Sequence, residues 1–298
     1  MEDFVHLHVH TQYSLLDGQA AIPRLVDKAI SDGMRGMAVT DHGNMFGIKE
    51  YFDYCCKVNG KRKKEGLEPF KPIFGCEMYV ARRGDKSLRE IKQDQSGWHL
   101  IVLAKNETGY KNLIKLVSQS WVDGYYMRPR TDHKDLAQYH EGLIVASACL
   151  GGEIPQLIMS KQMEKAEETV MWFKNLFGDD YYLELQLHKA TVERANHEVY
   201  QIQEDVNKHI IELSKKCGVK LVCTNDVHFV DEENAEAHDR LICLSTGRDL
   251  DDPTRMLYSK QEWMKTTAEM NALFDYVPEA LDNTVEVCNK VESYSIDH

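Results

Sequence analysis

The sequence predicts an α/β fold, either a β/α barrel or an open doubly wound sheet, on three observations. Seven short apolar runs alternate with amphipathic stretches of helical length, the pattern of buried strands separated by the helices that cover them. The first run carries three histidines in alternation with apolar residues. Side chains able to bind metal recur at or near the ends of later runs, and β/α folds bring strand ends together at one mouth.

The first run is Phe4-Val5-His6-Leu7-His8-Val9-His10-Thr11. Successive strand residues face opposite sides, so Val5, Leu7 and Val9 can enter a core while His6, His8 and His10 share the other face. Neighbouring imidazoles would repel if protonated, and a divalent cation on neutral ring nitrogens removes that conflict. Helical stretches at 20–32 and 45–58 flank a strand at 36–40. Further strands are expected at 72–80, 98–104, 143–148, 181–187 and 219–224, with helices at 108–121, 161–176 and 193–216. The lysine-rich segment 57–71 reads as an exposed insertion. Past residue 233 the strands stop, and a helical pattern follows with a break at Asp251-Asp252-Pro253.

A chain of 298 residues can bury a large core. Its 43% apolar and 28% charged content suits a soluble globular protein, and no segment approaches the ~20 apolar residues of a membrane span. The acidic Met1-Glu2-Asp3 runs straight into a strand, unlike a secretory signal. Eight cysteines without a tight framework suit reduced thiols and a cytoplasmic location. The net charge of −12 argues against a general nucleic-acid binder. It is uneven, however: residues 57–92 hold 11 Lys/Arg against 5 Asp/Glu, a local +6, leaving −18 for the rest. Lys61-Arg62-Lys63-Lys64 and Arg82-Arg83 could meet a phosphate backbone, as could Arg128 and Arg130, or form a solvated loop.

Nine residues stand out as candidate metal ligands: His8, His10, Asp17, His42, Glu77, His99, Cys149, Asp226 and His228. His42 follows the second strand, Cys149 ends the fifth, and Asp226 and His228 end the seventh. Glu77 and His99 fit the strand-end rule less well. One zinc takes three or four protein ligands, so nine suit two or three ions with a carboxylate between them. Clustered ions of this kind serve phosphoryl displacement. A His-rich set with one thiol favours zinc, with manganese or iron next. His6 is expected beside the ligands, Asp41 to orient a neighbour, and His188 near the mouth. His133, His140, His197, His209 and His238 read as surface residues. Cys149 as a nucleophile with His42 as its base is an alternative, but it leaves the other seven residues unexplained. No Walker-type or Rossmann glycine pattern occurs.

The motifs HxHT at 8–11 and TDHG at 40–43, the Glu77 and His99 segments, Cys149 and Asp226-Val227-His228 together resemble the PHP (polymerase and histidinol phosphatase) domain. The segments 13–18, 44–47, 105–113 and 250–253 look like the form of that domain found at the N-terminus of bacterial DNA polymerase III alpha subunits. The resemblance implies a distorted (β/α)7 barrel, here over 1–232, with a short helical C-terminal extension over 233–298. It implies up to three metal ions and phosphoesterase chemistry, a 3′–5′ exonuclease in some members, with His10, Asp226 and His228 as the expected catalytic residues. Partners implied are DNA (a primer 3′ end or single strand), the rest of a polymerase alpha subunit, and replisome subunits including a proofreading exonuclease and a sliding clamp. These 298 residues lack the polymerase carboxylates, so the chain alone is not expected to synthesise DNA. Alternatives are a catalytically silent scaffold that docks a separate exonuclease, and a stand-alone phosphatase of the histidinol-phosphate type.

Overall fold

The computed structural model describes residues 2–297. Its strands are β1 (Gly36–Val39), β2 (Lys71–Ala81), β3 (Gly97–Ala104), β4 (Arg130–Thr131), β5 (Leu143–Ala146), β6 (Tyr181–Leu185) and β7 (Lys220–Cys223). They form one curled sheet in the order β1-β2-β3-β5-β6-β7, with the two-residue β4 paired to β2. All pairings are parallel except those of β3, which runs antiparallel to both β2 and β5. This departs from the all-parallel expectation and turns the start of β3 toward the ends of its neighbours.

The first apolar run joins the two edges of the sheet but is not a regular strand. On one side Ala38 N donates to His6 O (2.8 Å) and Thr40 N to Val9 O (2.9 Å). On the other, Val227 N donates to His8 O (3.1 Å) and His10 N to Val227 O (2.7 Å). A step of two residues along residues 38–40 therefore spans three residues of the first segment. That is a bulge, which shifts the phase of every side chain beyond it. Val5 and Leu7 lie in the barrel interior, whereas Val9 joins the outer layer. The expected common face of three histidines is thus broken: His6 turns to the Lys265 carbonyl (2.8 Å), while His8 and His10 point into the mouth.

Two apolar layers hold the sheet. Ala38, Ile73, Ile101, Leu103, Ile144, Tyr182 and Val222 fill the interior, and the alternate residues pack outward against helices. The surrounding helices are α1 (Ile22–Ser31), α2 (Ile48–Lys64), α3 (Glu107–Val122), α4 (His133–Gln138), α5 (Glu153–Met159), α6 (Met163–Phe177), α7 (Glu198–Cys217), α8 (Ala235–Thr246), α9 (Thr267–Leu273) and α10 (Pro278–Lys290). In α1, buried Ile22, Leu25, Val26 and Ala29 make the expected apolar stripe. The C-terminal helix α10 closes one end of the barrel: Val287, Cys288 and Val291 enter the interior cluster, and Thr284 Oγ1 accepts from Val5 N (3.0 Å).

Residues 57–64 belong to α2, so the 61–64 basic run is its last turn, where cations complement the helix dipole. Only the part after residue 64 is a loop. All eight cysteines are free, and six of them are buried. No helix among the described residues is long and apolar enough to cross a membrane.

Candidate metal centre

Interior positions near the tops of the strands deliver the site. Glu77 lies two positions beyond Gly75 on the long β2, which overshoots β1 and bridges to His42 beyond it. His99 stands at the start of β3, and the antiparallel course of that strand brings it to the same mouth. Cys149 follows β5, and Asp226 and His228 follow β7. Three of these turns hold non-glycine residues in the left-handed region: Leu16 (φ 61°) before Asp17, Ala148 (φ 63°) before Cys149, and Asp226 itself (φ 48°). Such strain clusters where a site demands a set geometry. Gly151 lets the chain pass close to His99, since a Cβ there would lie 3.0 Å from its Nδ1.

All nine candidate residues meet. The ligand atoms of His10, His42 and His228 form one close group, those of His8, His10 and Asp226 a second, and those of Glu77, His99 and Cys149 a third. Nε2 of His8 and Nε2 of His10 are 3.1 Å apart, and Asp226 Oδ1 is 3.0 and 3.2 Å from them. Glu77 lies between the groups. Its Oε1 is 3.2 Å from His8 Nε2 and 2.9 Å from His99 Nδ1; its Oε2 is 3.7 Å from His10 Nε2 and touches His42 Nδ1. Asp17 Oδ2 sits 2.7 Å from His42 Nε2 and 3.5 Å from His228 Nε2. Cys149 Sγ is 3.5 Å from His99 Nδ1.

Opposite charges override burial at His8, His42, His228 and the three carboxylates, whereas burial prevails at His10 and Cys149. Burial lowers the pKa of His8 and of His42, but Asp226 and Glu184 raise the first, and Glu77 and Asp17 the second, well above the usual histidine range. His228 is likewise pulled down by burial and then raised to about 9, chiefly by Asp17 and Asp226. Burial with His42 and His228 lowers His10 to about 3. Glu77, Asp226 and Asp17 are held well below the carboxylate range, the surrounding histidines outweighing burial. Burial pushes the Cys149 thiol up. Buried His42 Nδ1, Glu77 Oε2, Asp226 Oδ1 and His228 Nε2 lack a well-formed hydrogen bond. Buried polar atoms normally have partners, and these four converge, so the donor set fits divalent cations.

Surrounding groups aim the cluster. Glu184 Oε1 is 2.7 Å from His8 Nδ1 and also accepts from Thr224 and Gln186. Asp41 accepts from Thr11 N, Thr11 Oγ1 and Ser14 Oγ, and Ser14 Oγ lies 2.9 Å from His10 Nδ1. The expected orienting role of Asp41 thus runs through Ser14. Tyr258 donates to Asp17 Oδ1 (2.8 Å). Sequence reasoning missed Glu184, Ser14 and Tyr258, although a lone carboxylate in the apolar run 181–187 was a usable signal.

Several expectations need correction. His238 is no surface residue: it is buried, with its ring 5.5 Å from that of His228. His133 is half-buried, stacked on Trp172 at 4.2 Å. His188, expected near the mouth, is buried against Gln203 and the carbonyl of Asn225, the residue before Asp226. Arg83 is tied to Asp94 and Glu90, and buried Arg130 donates to the carbonyls of Gly124, Leu88 and Lys86, so neither is free for phosphate. Arg62 lies beside Arg35 and Lys71, at the opposite end of the barrel from the cluster.

The PHP domain family model matches residues 6–188, more than half of the chain. The DNA polymerase III subunit alpha of Borreliella burgdorferi is 43% identical over 297 residues, which are 98% of this chain and 24% of that protein. Its counterpart in Thermus aquaticus is 38% identical over 291 residues, 95% of this chain and 22% of that protein. The chain thus spans about a quarter of the length of these relatives. Among solved structures, the histidinol phosphate phosphatase of Lactococcus lactis, complexed with zinc, L-histidinol and phosphate, matches 89% of this chain and 100% of its own at 13% identity and a TM-score of 0.40. That likeness is distant. With the family model matched over residues that include His8, His10, Asp17, His42, Glu77, His99 and Cys149, the chain belongs to the PHP domain family.

Proposed function

We propose that the barrel mouth is a multinuclear metal centre that hydrolyses phosphodiesters, acting as a 3′–5′ exonuclease on DNA. His8, His10, Asp17, His42, Glu77, His99, Cys149, Asp226 and His228 would hold two to three divalent transition-metal ions, zinc first and manganese or iron next. Such ions supply Lewis acidity and an activated water to phosphoryl displacement. The observation that carries the reading is Glu77, whose two oxygens approach ring nitrogens of four histidines from three strands and loops. A buried carboxylate so placed would help to hold more than one cation. His10, Asp226 and His228 are the residues assigned to the reacting phosphate. Ser14 fixes the His10 ring, and the Asp226 carbonyl, 2.7 Å from His228 Nδ1, fixes the other. Residues 1–232 carry the centre and 233–298 complete the barrel.

Kinship with polymerase alpha subunits supports a place in a replicative polymerase in the cytoplasm. DNA, the remainder of the subunit, a proofreading exonuclease and a sliding clamp would be its partners. A second reading, a silent scaffold, is favoured by one observation: the same cluster ties the bulged first segment to the ends of β2, β3, β5 and β7 across the seam. Metal analysis after chelator-free purification, followed by hydrolysis of a 3′-mismatched primer, decides. Two or more equivalents with hydrolysis support the exonuclease. The same content without hydrolysis under zinc, manganese or iron supports the scaffold, and less than one equivalent refutes both.

A further inference from the structure

Beside the metal cluster lies a surface that its chemistry does not use. Trp121, at the end of α3, is 42% exposed, yet its indole Nε1 donates to the carbonyl of Gly43 (2.8 Å), the residue after His42. The Tyr125 ring stacks on it nearly parallel, 5.5 Å between centroids and 16° between planes, and is 46% exposed. Phe46, 56% exposed, also lies 6.1 Å from the Trp121 ring. Three solvent-facing aromatic rings thus form a ledge fixed to the loop that carries a candidate ligand.

The same turn leads to a cationic cleft. Pro129 and Tyr79 press on Gly43 so closely that a Cβ there would lie 2.7 Å from the proline ring. Tyr79 in turn packs edge-on against His99, at 5.3 Å. Arg128, next to Pro129, opens onto a cleft of about 490 Å³ with Arg82, Lys92, Gln93, Gln95 and Ser96. No carboxylate lines it, and Arg82, Lys92 and Arg128 have no ion-pair partner among the described residues. In a chain of net charge −12, these unneutralised cations stand out.

We infer that this ledge and cleft form a single-strand subsite leading into the metal centre, with bases stacking on Trp121, Tyr125 and Phe46 and phosphates running past Arg82, Lys92 and Arg128. Aromatic stacking beside a cationic groove is how proteins hold single strands without reading sequence. A protein partner would explain the exposed rings but not a cleft complementary to anions. The inference rests on the phosphodiesterase reading for its substrate and adds the surface outside the metal cluster that would hold the single strand.

The test compares two fluorescent probes of equal charge on the 298-residue chain: a 12-nucleotide oligo(dT) and its abasic analogue. The wild-type chain should bind oligo(dT) about tenfold more tightly than the abasic strand. Tyr125→Ala, at a half-exposed ring with little packing to lose, should remove most of that preference, and Trp121→Ala with Tyr125→Ala all of it. Arg82→Glu with Arg128→Glu should weaken both probes and flatten the salt dependence. Equal wild-type affinity for the two probes overturns the proposal, as does a preference that survives in the folded Tyr125→Ala and double-alanine chains. Binding of neither probe also overturns it and leaves the ledge to a protein partner. Metal content and hydrolysis of bis(4-nitrophenyl) phosphate by the wild-type chain report separately on the phosphodiesterase reading. A chain that lacks both but prefers oligo(dT) sinks that reading alone. One that has both but shows no base preference sinks only the ledge.

Discussion

Glu77 Oε1 lies 2.9 Å from His99 Nδ1, a contact made by diagonal neighbours on the inner face of the antiparallel β2–β3 pair. Glu77 pairs in register with Ile101 and His99 with Tyr79, so the two candidate ligands stand two positions apart on one face. The contact exists because β3 reverses direction. In a parallel arrangement the start of that strand would lie at the far end of the barrel.

Glu77 should therefore decide how many ions are held. Glu77→Gln keeps the shape but removes the charge that faces four ring nitrogens. The variant is expected to lose at least one of the two to three metal equivalents by elemental analysis. Unchanged content would show that Glu77 bridges nothing.

Glu184 tests the layer behind the ligands. Its Oε1 holds His8 Nδ1 at 2.7 Å, leaving Nε2 to face the cluster. Partners of this kind are worth ~10–100-fold in metal affinity. Glu184→Gln should lower zinc affinity by about that factor in a chelator competition while all nine ligands remain. An affinity within twofold of wild type would mean that the cluster needs no such orientation.

Metal removal should loosen the barrel. Ions bound only by the folded chain stabilise it by mass action, about 4 kcal/mol at a thousandfold excess over Kd. For a chain of this size that is on the order of 10 °C in Tm. The ligands come from both sides of the seam closed by the bulged first segment, so chelation with EDTA should lower Tm by about that amount. No shift after confirmed metal loss would show that the ligands are not structural ties.

The residues of the centre were legible by type, and so was most of their convergence. His8, His10, His42, Cys149, Asp226 and His228 sit near run ends, where a β/α pattern gathers them. Glu77 and His99 looked misplaced because short apolar runs carry no strand direction, and only the reversal of β3 accounts for them. The bulge between His6 and Val9 was invisible for a related reason: alternation in the sequence continues through it, while the backbone adds one residue. His238 was misread because its helix is polar overall. Its burial comes from Phe229, His228 and Tyr258, which the fold brings from elsewhere.

A pH effect should come from outside the cluster. Lys265 is buried, with Nζ 3.1 Å from the centre of the Trp263 ring and donating to the Gln261 carbonyl. Burial lowers its pKa from 10.5 to about 7, against the pull of Glu269, Glu262 and Glu232. The unfolded chain thus binds the extra proton between about 7 and 10.5, so this group's contribution to stability rises with pH across that window. Below about 7 both states are charged and the full burial cost is present. Lys265→Met should raise Tm most at pH 6, and the gain over wild type should shrink toward pH 10. A difference in Tm that stays flat from pH 6 to 10 would show that Lys265 keeps an ordinary proton.

Hydrolysis should separate metal chemistry from thiol chemistry. His10 Nε2 and Asp226 Oδ1 stand together at the centre of the cluster, 3.2 Å apart, and His10 belongs to two of its three ligand groups. Cys149 sits at its margin, 3.5 Å from His99 Nδ1 and 3.9 Å from Glu77 Oε1, with burial raising its thiol well above the usual range. A thiol held protonated is a poor nucleophile. On a 3′-mismatched primer, His10→Ala and Asp226→Ala should each lower the rate by more than a hundredfold. Cys149→Ser, which keeps a weaker oxygen ligand, should retain a measurable part of the activity. Complete loss in Cys149→Ser at normal metal content would instead make the thiol the attacking group, with His42 as its base.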